Sequence, residues 1–164
     1  RYGFRSTTSQ GDEAGVKLVG RGEINPDGAG LAKYTEPAGF ERPLPAGMLF
    51  PIGWLKAGLA ASEAGKKRFS GHVFMGAAPD EPLRVNSIIV AADAASQGEA
   101  LLRGPRWRHL SAFYNQTSAE VPEYEAEETV LANGVLAGAL MRYPTYALKL
   151  KLQRIEALPV PSDC

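Results

Sequence analysis

From Pro122 to Ala157 the chain alternates apolar and polar residues with a period of two, and this pattern constrains its fold more than any other. In "PEYEAEETVL", Tyr124, Ala126 and Val130 point one way, and Glu123, Glu125, Glu127 and Thr129 point the other. Asn133-Gly134 follows and predicts a type I′ hairpin turn, whose two central residues both need positive φ. "YALKLKLQRIEA" then sets Leu148, Leu150 and Leu152 inward against Lys149, Lys151 and Gln153 outward. Alternation of this kind means strands with one wet face, as in an antiparallel sheet curled around a core.

The same period runs upstream, through "GVKLVGRGEI", "GLAKYTEP", "RFSGHVFMG", "PLRVNSIIVAA" and "RWRHLSAFYN". It predicts Phe69, Gly71, Val73 and Met75 on one face of their strand, and Leu83, Val85, Ser87 and Ile89 on one face of the next. Trp107, His109, Ser111 and Phe113 share a third face, opposite Arg108, Leu110, Ala112 and Tyr114. Roughly seven or more strands result, a mainly β fold whose sheet is curled into a spiral or open barrel. "SQGDEAGV" and "AADAASQGEALLRGPR" read as loops.

A single segment breaks the period. From Pro51 onward Ile52, Leu55, Leu59 and Ala60 recur at helical spacing, which predicts one amphipathic helix near residues 51–64. Pro51 suits the first helical turn, Gly65 supplies a left-handed stop, and Lys66, Lys67 and Arg68 follow at the negative end of the dipole. The helix should lie across the sheet with Trp54 or Leu55 buried.

At 164 residues the chain suits one domain, 1–164, with no repeat or linker inside it. It opens in mid-strand, Tyr2 and Phe4 alternating, and its only cysteine, Cys164, is its last residue. We therefore expect the C-terminal part of a longer secreted β protein whose N-terminal strands precede Arg1. Cys164 is then either a tail thiol or half of a pair completed outside this sequence. Lys and Arg number 18 and so do Asp and Glu, so no bulk field draws in nucleic acid. Apolar stretches fall short of the roughly 18 residues a spanning helix needs, so a membrane-spanning protein is not expected.

No nucleophile elbow, H-E-x-x-H, P-loop or dinucleotide fingerprint occurs. His72 and His109 lie in strands without metal-ligand spacing, and His109 shares a face with Trp107 and Phe113, as a core or rim histidine would. A histidine with a neighbouring carboxylate in a cleft is the remaining enzymatic candidate. We expect no enzyme, no catalytic residue, no metal and no cofactor. Glu120, Glu123, Glu125, Glu127 and Glu128 read as a solvated strand face, offset by Lys149, Lys151 and Arg154. In "RGPRWRHLSAFY", Arg103, Arg106 and Arg108 flank Trp107, which suits an anionic partner or a lipid headgroup as well as an ordinary outer face. The candidate surface for a partner or an apolar ligand is thus Trp54, Leu55, Leu59, Arg106, Trp107 and Arg108.

"FRST" at 4–7, "LPAGMLFPIGWLKAGLAA" at 44–61, "PEYE" at 122–125, "ANGV" at 132–135 and "YALKLKLQRIEALPVPSDC" at 146–164 are similar, in order, to the EipB-like cell-envelope integrity proteins, a periplasmic family of Gram-negative bacteria. The resemblance implies a secreted, spirally curled antiparallel sheet with one helix at its mouth. It also implies a structural disulfide between Cys164 and a cysteine upstream of Arg1, a bond that persists in an oxidising compartment. Between Thr8 and Val16 the chain is shorter than the family pattern, and "RYPTY" at 142–146 replaces a more acidic turn. The implied function is non-enzymatic support of the cell envelope through protein–protein interaction, with a helical-repeat (TPR-type) periplasmic partner. The alternative is a carrier of lipid or lipoprotein acyl chains, its interior lined by Leu55, Leu59, Phe69, Val73, Leu148 and Leu150.

Overall fold

The computed structural model of the protein describes residues 1–7, 17–25, 29–76, 83–95, 104–115 and 120–153. Strands β1 (Tyr2–Thr7), β2 (Lys17–Ile24), β3 (Gly30–Glu36) and β4 (Phe40–Leu44) form an antiparallel four-stranded meander. The short β5 (Met48–Leu49) leads into helix α1 (Pro51–Glu63). Then come β6 (Arg68–Val73), β7 (Leu83–Ala95), β8 (Gly104–Tyr114), β9 (Tyr124–Leu131), β10 (Leu136–Arg142) and β11 (Ala147–Lys151). The second sheet has seven strands in the order β11-β10-β9-β8-β7-β6-β5. Among the described residues only β5 and β6 pair in parallel, because α1 is the crossover that returns the chain to the same end of the sheet. The fold is mainly β with one helix, and neither sheet closes on itself.

The expected single core is two. One cluster, Ala32, Tyr34, Leu44, Met48 and Phe74, lies under the four-stranded sheet, with Tyr2, Ile24 and Phe50 packed against it. The other, Trp54, Val73, Val85, Phe113, Tyr124 and Ala126, lies between α1 and the seven-stranded sheet. Phe50, just before α1, joins them to β1 by stacking on Tyr2 at 5.1 Å. Alternation predicted the second core well: Val85, Ser87 and Ile89 are buried, as are His109, Ser111 and Phe113. It placed the end of β7 too early, since Ala91–Ala95 continue the strand instead of starting a loop.

Helix α1 starts at Pro51, as expected, and ends in a left-handed turn at Gly65 (φ 68°), with Lys66 N–H donating to Ala61 O and Gly65 N–H to Ser62 O. Of the two candidates for burial, Trp54 and Leu55, Trp54 is the buried one, but the rest of the buried stripe differs from the helical spacing of Ile52, Leu55, Leu59 and Ala60. Trp54, Gly58, Ala61 and Ser62 face the sheet, whereas Leu55 and Leu59 are half-buried and Ile52 is exposed. Small residues explain the rotation. A Cβ at Gly58 would stand 2.8 Å from Phe69 Cζ and 2.9 Å from His109 Cε1, so only glycine lets the helix come this close.

Two more expectations need correction. The β9–β10 turn is not type I′: only Gly134 has positive φ (81°), and Asn133 instead accepts the Val135 N–H through its side chain at 3.1 Å. This matches a three-residue loop with glycine in the left-handed position. On β11, Leu148 and Leu150 do continue the helix-side face, opposite Met141 and Ala139, but they are exposed. β11 is the sheet edge and α1 does not extend over it, so parity alone does not bury them. They line no interior. Leu152 is half-buried, and Arg154 and Cys164 lie outside the described residues, so the disulfide expectation does too.

Candidate functional site

The seven-stranded sheet has a helix side and an open side, and the two differ in chemistry. On the helix side, aromatic rings pack on one another beneath α1. Trp54 packs on Phe69 at 4.5 Å between ring centroids, and Phe69 meets His109 edge-on at 5.5 Å. Phe113, Tyr124, Tyr143 and Tyr146 stack in series at 4.2, 4.9 and 4.5 Å, the last two carried by the "RYPTY" turn.

A polar seam crosses this packed side. Ser87 and Ser111 share a hydrogen bond of 2.6 Å, both buried. His109, only 2% exposed, lies 2.8 Å through Nε2 from Ser62 Oγ. The Ser62 hydroxyl donates its one hydrogen to Gly58 O at 2.8 Å, so it accepts from His109 Nε2–H. Burial lowers the His109 pKa and so favours the neutral imidazole. Next to it in register on β9 is Glu128, whose pKa burial raises. Glu128 was grouped with the solvated acidic face, and this is corrected: its parity is that of Tyr124, Ala126 and Val130, so it turns inward. Ser62 and His109 have the contact of a nucleophile and its base, but the hydroxyl is buried and committed to Gly58, so no substrate reaches it. The pair pins α1 to the sheet. His72 is exposed on the opposite face.

On the open side a groove of about 770 Å³ crosses β6 to β10. Two rows of register partners build it: Arg68, Ile88, Leu110 and Glu127 in one, and Ser70, Asn86, Ala112, Glu125 and Arg142 in the other. Glu127 is held by Arg108 at 2.9 Å and by Arg142 at 3.9 Å, not by lysines of β11, because β10 separates β9 from that strand. Tyr114 borders the groove, with the Arg84 guanidinium 4.8 Å from its ring centroid.

The six predicted surface residues do not meet in one place. Trp54 is in the core, and Leu59 reaches toward the β9–β10 turn, its Cδ2 3.8 Å from where a Gly134 Cβ would be. Trp107 takes the helix side, while Arg106 and Arg108, one residue either way, take the open side. Among the described residues no group of three or more acidic, histidine or cysteine side chains converges as metal ligands, and no helix is long and apolar enough to cross a membrane.

The model of the EipB-like family matches residues 1–159. A crystal structure from Brucella abortus, described as a β-barrel-like protein of the domain of unknown function DUF1849, is similar with a TM-score of 0.81 at 18% identity, over 96% of this chain and 67% of that one. No curated protein matches.

Proposed function

This chain belongs to the EipB-like family, and on that premise we propose that it is a non-enzymatic periplasmic protein that supports the cell envelope by binding another protein. The observation carrying this reading is the division of the seven-stranded sheet. Its helix side carries the core around Trp54, and its open side presents a groove with aliphatic residues in the middle and charges around them. The aromatic side chains that occupy the helix side beneath α1 support an interaction module over a carrier that encloses its ligand there. Ile88 and Val90, 47% and 38% exposed on the open face, are the residues a partner would cover. The helical-repeat periplasmic partner belongs to this proposal as the expected class.

Deleting the gene and challenging cells with detergent or a β-lactam tests it. Loss of the outer-membrane barrier, restored by the wild-type gene, is expected; survival equal to the parent strain overturns it. A second reading, acyl-chain binding, draws on the same aliphatic floor. Native mass spectrometry of protein purified from the periplasm separates the two, since a carrier retains lipid and an interaction module does not.

A further inference from the structure

We propose that the open-face groove binds an extended polypeptide segment with an acidic, an apolar and a basic residue at alternate positions, the acid over Arg68 and the base over Glu125. This rests on the reading that the open face is the binding face, and it adds the chemistry of what binds there.

The middle of the groove is apolar where a solvated antiparallel face is ordinarily polar. Ile88, half-exposed, sits beside Leu110 and near Ala112. The two ends differ in charge: Arg68 stands at the β6 end, and Glu125 and Glu127 stand with Arg142 at the β9–β10 end. Arg68 on β6 is exposed and makes no ion pair among the described residues. On β9, Glu127 is already satisfied by Arg108 and Arg142, whereas Glu125 is exposed and has no ion pair among the described residues.

From β6 to β9 is three strand steps of about 4.8 Å, and Glu125 lies two residues, about 7 Å, along the strand from the row of Arg68. The two are therefore about 16 Å apart on the diagonal. An extended peptide rises about 3.3 Å per residue, so its residues i and i+4 are about 13 Å apart and project to the same side as i+2. Acid at i, aliphatic at i+2 and base at i+4 therefore reach Arg68, the aliphatic floor and Glu125 on a diagonal path, the long Arg68 and peptide side chains spanning the remaining ~3 Å. A fatty acid matches less well. Its carboxylate suits Arg68, but its chain would cover Glu125 and offer it no cation, an uncompensated desolvation.

The test uses the full-length protein and fluorescein-labelled, capped decapeptides with central sequences Asp-Ser-Leu-Ser-Lys, Lys-Ser-Leu-Ser-Lys and Asp-Ser-Leu-Ser-Asp, followed by fluorescence anisotropy. Wild type should prefer the Asp/Lys peptide by about fivefold, the scale of two exposed charge pairs. Arg68→Glu should move the preference to the Lys/Lys peptide, and Glu125→Lys to the Asp/Asp peptide, with melting temperatures unchanged. Equal binding of all three peptides, or a preference indifferent to both substitutions, overturns the proposal. So does dansyl-undecanoate that displaces the Asp/Lys peptide and binds the Arg68→Glu and Glu125→Lys variants as well as wild type. An Ile88→Lys/Leu110→Glu double variant in the deletion strain separates the two levels. If it restores envelope resistance fully, the open-face reading itself fails. If it does not restore resistance and the peptides bind alike, only the acid–apolar–base pattern fails.

Discussion

Gly58 sets the distance between α1 and the sheet, and two side chains occupy the space its missing Cβ leaves. An alanine there gains up to about 1 kcal/mol in helix propensity. Against this, its methyl would meet Phe69 Cζ and His109 Cε1 inside van der Waals contact. Neither ring has room to move, since Phe69 is under Trp54 and His109 is bonded to Ser62. Overpacking should win, so Gly58→Ala is expected to lose about 1–2 kcal/mol, read from the urea midpoint; a higher midpoint would show that the helix is not pressed onto those rings. Glu128 is a different kind of residue, an inward carboxyl with no hydrogen bond or ion pair among the described residues. Glu128→Gln should raise stability at neutral pH by about 1 kcal/mol, as removal of a buried charge cost does. Its inward turn was legible in the sequence, because 124, 126, 128 and 130 share parity. The surrounding glutamates concealed it, since composition suggested a wet face where position indicated the core.

Elements were legible where one physical rule decides them. Pro51 and Gly65 fixed both ends of α1, because each acts through its own backbone. Apart from Trp54, the helix's buried stripe was not legible from its large apolar residues, because contact distance is set by what is absent at Gly58. β11 shows the converse. Leu148 and Leu150 have core parity, but burial needs a second layer, and a strand's own sequence does not reveal how far a distant helix extends. Their exposure makes a clear expectation: Leu148→Lys/Leu150→Lys should change thermal stability by less than about 0.5 kcal/mol per site, as surface substitutions do. A loss of several kcal/mol in the full-length protein would mean that this edge is covered in solution.

At the scale of the whole molecule, strand periodicity disclosed the fold class, but not the split into two sheets or the groove, both of which depend on register between distant strands. The same register joins two titrating groups whose effects on stability run in opposite directions. His109 has a lowered pKa when folded, so the stability tied to its neutral form is complete above about pH 6.5 and is lost as pH falls through the folded value. Glu128 has a raised pKa, so the stability tied to its protonated form is complete below its unfolded value and is lost as pH rises through the folded one. As pH falls the two contributions run in opposite directions, so each masks part of the other in the wild-type melting temperature. Single variants should uncover each limb. Glu128→Gln leaves the histidine alone, so its melting temperature should fall from pH 7 to pH 5 relative to wild type. His109→Gln leaves the carboxyl alone, and its melting temperature, lower overall through the altered Ser62 contact, should rise over the same interval relative to wild type. Calorimetric scans of the three proteins at half-unit pH steps read this directly. Parallel curves would mean that neither side chain titrates between α1 and the sheet, and that the polar seam serves only to hold the helix in place.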